Sequence, residues 1–201
     1  MVCPEKYGTR ADNYGKYKGE YGYRTHHRKM QIAMVAFGAA MILAQLAARH
    51  FVEDQAWKNI LTVMAILSVL PTANIASPLF AGWRFKTPPK EFYDRVHPYE
   101  ERFTILYDLV ITSKEAIMPM DAAIVHPTGV YCFCTLDKVD ARKGETYLNG
   151  MFTAHRLDPH VKIIKDEKTF FQRLDSLKPA SEYEDDGSVE YGAGLLKNLS
   201  M

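Results

Sequence analysis

The chain is poor in the residues that announce familiar chemistries. It has only three cysteines in 201 residues, Cys3, Cys132 and Cys134. Cys132 and Cys134 stand two apart within an apolar run, where strand geometry points both side chains the same way and disfavours an ordinary disulfide. The odd count and the absence of framework spacing exclude a disulfide-stapled domain and fit a reducing compartment. A zinc site needs further ligands at C-x-x-C or similar spacing, and the sequence has none, so buried structural thiols are expected. The adjacent His26 and His27 have no partners at ligand spacing. There is no excess of either charge: 25 basic and 24 acidic residues leave a formal net charge of +1, which excludes a global electrostatic pull toward nucleic acid. No Gly-rich phosphate loop follows a strand, and neither G-x-S-x-G nor H-E-x-x-H occurs. No cofactor and no metal centre is implied.

Charge is missing altogether from two stretches. Met30–Ala48 (MQIAMVAFGAAMILAQLAA) holds 19 uncharged residues, and Asn59–Trp83 (NILTVMAILSVLPTANIASPLFAGW) holds 25. Each is close to or above the roughly 20 residues that a helix needs to cross about 30 Å of hydrocarbon. Pro71 and Pro78 break a soluble helix, but a membrane helix tolerates them when neighbours such as Ser68, Thr72, Asn74 and Ser77 satisfy the freed carbonyls. A cleaved leader does not fit a first run that starts at Met30 and is followed at once by a second. The link Arg49–Lys58 is short enough to force an antiparallel hairpin. Ala36, Ala40, Ala44 and Ala48, with Gly38 beside them, place a small-residue stripe on the first helix, for the second helix or for a second copy of the chain.

Basic residues set the topology. Lys6, Arg10, Lys16, Lys18, Arg24, Arg28 and Lys29 precede the first span, and Arg84, Lys86, Lys90 and Arg95 follow the second. In the link, Arg49 and Lys58 are offset by Glu53 and Asp54. The positive-inside rule then makes the protein a multi-pass cell-membrane protein with both termini cytoplasmic, and Trp57 and Trp83 fall at the ends of the second span, where interfacial indoles are expected.

The flanks divide the remainder. Residues 1–29, with Tyr7, Tyr14, Tyr17, Tyr21 and Tyr23 among Gly, Lys and Arg, have no apolar periodicity and read as a disordered basic tail. Such a tail has the composition to bind anionic lipid or single-stranded nucleic acid, although nothing else supports a nucleic-acid partner. Residues 84–100, with Thr87-Pro88-Pro89, read as a linker. Residues 101–178 read as a small cytoplasmic α+β (α/β-like) domain. Residues 179–201, with Glu182, Glu184, Asp185, Asp186 and Glu190, read as an acidic disordered tail that ends in a possible docking segment, GLLKNLSM.

Within 101–178, Phe103–Thr112, Met120–Val125, Val130–Leu136 and Val161–Ile164 have strand character, and His126-Pro127-Thr128-Gly129 reads as a reversing turn. Asp137–Leu157 shifts to helical spacing, and Asp166–Leu177 is a helix capped by Asp166. The expected architecture is a mixed three- to four-stranded sheet with flanking helices. His126, His155 and His160 are the histidines that could approach one another in such a fold, though no spacing argues for a shared metal.

The stretch MDAAIVHPTGVYCFCT (Met120–Thr135) resembles the core of the nuclease-related domain family, which has a restriction-endonuclease-like fold. Asp121 matches the family's aspartate, and His126, Pro127 and Gly129 match its turn. The likeness covers about 35 residues, roughly 103–136. It implies a site in which an aspartate and a glutamate hold Mg²⁺ and a lysine serves the attacking water. Cys134 stands where the glutamate belongs and Leu136 where the lysine belongs. The resemblance therefore implies a degenerate site, with Asp121 as the one catalytic candidate. The leading expectation is a membrane-anchored protein of bacterial type whose cytoplasmic domain is a catalytically inactive binding or scaffold module, with the bilayer and an unidentified protein as partners. The alternatives are a divergent metal-dependent hydrolase, with Glu115, Asp137, Asp140 or Glu145 as a migrated carboxylate, and an oligomerising or transport-accessory hairpin.

Overall fold

The structure, a computed structural model, describes residues 17–113, 116–184 and 186–201. The chain forms two compact units: Thr25–Lys86, and the flanking residues up to Arg24 together with Thr87–Met201.

The first unit is a pair of long helices, α1 (Tyr23–Phe51) and α2 (Gln55–Gly82). Both exceed the uncharged runs at their ends, so the connection is three residues rather than ten. Asp54 caps α2 by accepting from Ala56 N–H at 2.9 Å. Both helices are long and apolar enough to cross a membrane, and almost nothing in their apolar windows is buried. The helix faces that are least exposed mix polar and small residues with apolar ones. On α1 they carry Gln31, Val35, Gly38, Ile42 and Gln45, and on α2 Leu61, Ala65, Ser68, Thr72, Ile75 and Leu79. Gln45 donates to Ser68 Oγ at 3.3 Å. A Cβ on Gly38 would collide with the Thr72 side chain, so glycine at this position permits close approach of the two backbones. The alanine stripe expected to meet the second helix does not: Ala36, Ala40, Ala44 and Ala48 are all exposed. Two stripes share the helical period, and the helix pair uses the one containing Gly38. Two of the hydroxyls near the prolines are otherwise engaged, Ser68 with Met64 O and Thr72 with Ser68 O.

The second unit is α+β. Its mixed sheet has the order β1 (Thr104–Thr112), β2 (Ile117–His126), β3 (Gly129–Phe133), β4 (Val161–Ile164). The first three strands are antiparallel neighbours, and β4 lies parallel to β3 after a crossover through α4 (Ala141–Ala154). The β2–β3 connection is the two residues Pro127-Thr128. Gly129 follows at φ 139°, where a Cβ would strike the His160 carbonyl.

Both faces of the sheet are covered. Leu148 and Phe152 of α4, with Leu195 and Leu196 of α6 (Ser188–Leu199), pack on Leu109, Ile111, Met118, Met120, Cys132 and Val161. On the other face, Phe92, Tyr93 and Val96 of α3 (Lys90–Val96) and Phe170 and Leu174 of α5 (Glu167–Ser176) pack on Tyr107, Ile124, Tyr131 and Phe133. Burying such side chains stabilises by roughly 1.5–3 kcal/mol each.

Five of the boundaries expected from sequence need correction. The linker 84–100 contains α3, whose aromatic face is core. The acidic tail 179–201 contains α6: its acids precede or begin the helix, while Ala193, Leu195 and Leu196 repeat on one buried face. The tail 1–29 ends in α1, and its residues 17–22 are bonded to the sheet; residues 1–16 lie outside the described residues. Helix Asp137–Leu157 is shorter than expected because Asp140 caps it, accepting from Arg142 and Lys143 N–H. Strand Val130–Leu136 stops at Phe133.

Candidate functional site

β1 is an edge strand, and an edge leaves unpaired backbone groups that need cover. Two segments distant in sequence supply it. Gly19 bridges to Tyr107, and Tyr107 N–H donates to Gly19 O at 2.8 Å. At the other end, Ser200 bridges to Ile111, Val110 N–H donates to Ser200 Oγ at 3.0 Å, and Met201 N–H donates to Val110 O at 2.9 Å. Lys18 Nζ also donates to Ser200 O, at 2.6 Å.

Asp108 lies between the two covers. It has φ 56°, in the left-handed region, where aspartate is among the more tolerant residues. The ladder is interrupted there: Tyr107 pairs with Ala122 and Leu109 with Met120, so Asp108 falls opposite Asp121. In-out alternation slips on both strands at this point. Leu106 then Leu109, and Met120 then Ala123, line the same core.

The Asp108 side chain is 0% exposed. Its Oδ2 accepts from Gly22 N–H at 2.9 Å and from Thr87 Oγ1 at 2.9 Å. Its Oδ1 lies 3.7 Å from the Arg24 guanidinium, which also donates to Leu109 O at 3.3 Å. Burial pushes the Asp108 carboxyl above its usual range, against the opposing influences of Arg24, Thr87 and Gly22. Gly22 and Arg24 lie at the entry to α1, and Thr87 follows α2. One buried carboxylate therefore holds the segments that precede and follow the helix pair. An aromatic cluster reinforces this. Tyr21 stacks on Tyr93 at 4.3 Å between ring centres, both meet Tyr107 edge-on, and Tyr21 Oη donates to Pro88 O at 3.0 Å.

The residues expected to carry chemistry sit nearby in other roles. Asp121 Oδ2 accepts from Thr135 N–H at 2.9 Å and Thr135 Oγ1 at 2.7 Å. Cys134 is buried, and burial pushes its thiol up, as it pushes the Cys132 thiol up to about 12. Leu136 is on the surface. Of the carboxylates named as replacements, Asp140 caps α4. Glu145 accepts from Ile163 N–H at 2.9 Å and lies 3.7 Å from Lys162 Nζ. Asp137 offers its backbone carbonyl to Lys165 Nζ at 2.9 Å. Glu115 lies outside the described residues. Among the described residues, no three His, Cys, Asp or Glu side chains converge as a metal site.

The three histidines are not brought together. His126 is buried between the Phe103 and Tyr183 rings. Its Nδ1 accepts from Thr128 N–H at 3.2 Å and its Nε2 faces Lys178 O at 3.0 Å, so Nε2 carries the proton. His155 meets Tyr191 Oη at 3.2 Å, and His160 meets Asp158 at 2.8 Å.

Sequence reasoning missed Asp108. Its one visible trace is a lone charge inside the apolar run FTILYDLVIT. No protein-family model, curated protein or solved structure matches the chain.

Proposed function

We propose that the protein is a membrane-anchored recognition module. The helix pair spans the bilayer as a hairpin, and the α+β domain works on the cytoplasmic side by binding rather than by turnover. The observation that carries this reading is the outward-facing apolar surface of the helix pair. Phe37, Leu43, Ile66, Leu67, Leu70 and Phe80 point outward, while Gln45, Ser68 and Thr72 are drawn into the seam beside Gly38, Val35, Ile42 and Leu79. A core helix of a soluble protein hides its apolar face; a helix pair in lipid gains nothing by doing so and associates through small and polar residues. Topology rests on charge. Arg28 and Lys29 near the start of α1 and Arg84 and Lys86 after α2 have no acid between 25 and 29 or 82 and 86, whereas Glu53 and Asp54 of the connection offset Arg49 and Lys58 in the helix ends beside it.

The likeness of Met120–Thr135 to nuclease-related domains belongs to the same proposal. The domain is a scaffold of that kind in which Asp121 ties down the chain after β3. Support comes from its two bonds to Thr135 and from the local duties of Asp140 and Glu145.

The test is extraction and accessibility. The chain should resist alkaline carbonate. With Cys3 replaced by serine and Cys132 and Cys134 buried, Glu53→Cys should react with an impermeant maleimide in intact cells. Lys143→Cys should react only after permeabilisation. Release by carbonate would overturn the membrane reading, and the reverse labelling pattern would overturn the topology.

A further inference from the structure

α2 has a second row of residues at alternating spacings of three and four, on a face that α1 leaves uncovered. Ile60, Val63, Leu67, Leu70, Asn74 and Ser77 are all exposed. This is the a/d spacing of a packing seam between helices. Most of the row is indistinguishable from lipid in polarity, but its second half is not. Asn74 lies nine residues before Trp83, roughly 13 Å along a helix, and so deep within a spanning segment. Pro71 and Pro78 have no N–H, so the carbonyls of Leu67 and Asn74 lack the donor four residues on. Residues 67 and 74 both belong to this row. The exposed row thus presents an amide side chain and a hydroxyl where water is absent, and unsatisfied polar groups at that depth are costly.

Resting on the membrane-spanning reading above, we propose that this row is the interface of a homodimer, in which α2 packs against α2 of a second copy with Asn74 against Asn74. Two copies inserted with the same topology bring Asn74 to the same depth. An amide has both a donor and an acceptor, so the contact is self-complementary, as a two-fold interface requires. A single Asn at such a position also fixes register.

The experiment uses the full chain, labelled at its N-terminus and reconstituted into phosphatidylcholine–phosphatidylglycerol liposomes over a range of protein-to-lipid ratios. Photobleaching steps then count the copies. Two-step bleaching is expected. Asn74→Leu should weaken association about 3- to 30-fold, the range spanned by one interhelical polar contact, and Asn74→Gln should restore most of it. Leu43→Ala, on the exposed face of α1, should leave it unchanged. Carbonate-resistant insertion with one-step bleaching at every ratio would overturn the dimer and leave the anchor intact. Equal association of wild type and Asn74→Leu, with both inserted, would overturn the assigned interface, and failure to insert would remove its premise.

Discussion

Removing the Asp108 carboxylate should loosen the attachment of residues 17–24 and 87–88 to the sheet. In Asp108→Ala, the buried Arg24 guanidinium loses its counter-charge, and breaking a buried pair from one side costs about 3–5 kcal/mol. Alanine at φ 56° adds about 1 kcal/mol, because it keeps the Cβ crowding of the left-handed region and loses the short polar side chain that offsets it. Asp108→Asn is milder. It tolerates that φ and keeps an acceptor for Gly22 N–H and Thr87 Oγ1, but it too leaves Arg24 without its counter-charge, so its cost sits at the lower end of that range, about 3 kcal/mol. Thr87→Val removes one bond to the carboxylate, about 1.5–3 kcal/mol alone, and should cost little more once Asp108 is alanine. Both tryptophans, Trp57 and Trp83, belong to the helix pair, so their fluorescence does not report on this node. Amide exchange read by mass spectrometry does. Peptides covering 17–24 and 104–112 should lose protection in the order wild type, Asn, Ala, while those covering 167–176 keep it until global unfolding. If Asp108→Ala costs less than about 1 kcal/mol and leaves 17–24 and 104–112 as protected as in wild type, Asp108 does not hold these segments.

His126 should make the α+β domain acid-sensitive. Burial, aided by Arg173, lowers its pKa from 6.5, so the unfolded chain takes up the proton first and stability falls as pH drops below about 6.5. Melting curves of His126→Asn should be flatter over that interval; an unchanged slope would assign the effect to other groups. Gly38→Leu should force the helices apart, costing about 1–3 kcal/mol and accelerating amide exchange at 35–45, whereas Ala40→Leu, on the exposed face, should be near neutral. Asp121→Ala should cost about 2–4 kcal/mol through the two lost bonds to Thr135, as read by denaturant melts. It should not alter nucleic-acid integrity in the presence of Mg²⁺ or Mn²⁺; metal-dependent cleavage by the wild type that this variant loses would refute the recognition reading.

Local physics was legible where neighbours in sequence supply it. The uncharged runs declare two long apolar helices because length and composition alone set that property. β4 and the helix capped by Asp166 emerge at their expected places because each is bounded by turn or capping residues beside it. The Pro127-Thr128 reversal is similarly local, whereas the exclusion of a Cβ at Gly129 depends on His160, which arrives only after the crossover. The parts that were not legible depend on partners far along the chain. α6 is hidden behind acids that belong to its approach, and its Leu195–Leu196 face matters only because the sheet offers a surface to bury it. α3 looked like linker for the same reason. On α1, the alanine stripe and the Gly38 stripe have the same period, and only the position of Thr72 chooses between them. Asp108 is the clearest case. In sequence it is one acid in a run of strand-forming residues. Its charge is tolerable, and its left-handed backbone explicable, only when Gly22, Arg24 and Thr87 are folded around it. The sequence by itself determined the two apolar spans, the strands and the helices bounded by local caps; the tertiary structure decided α3, α6, which polar groups are buried and what they hold, because a buried face or charge takes its meaning from partners that no local pattern records.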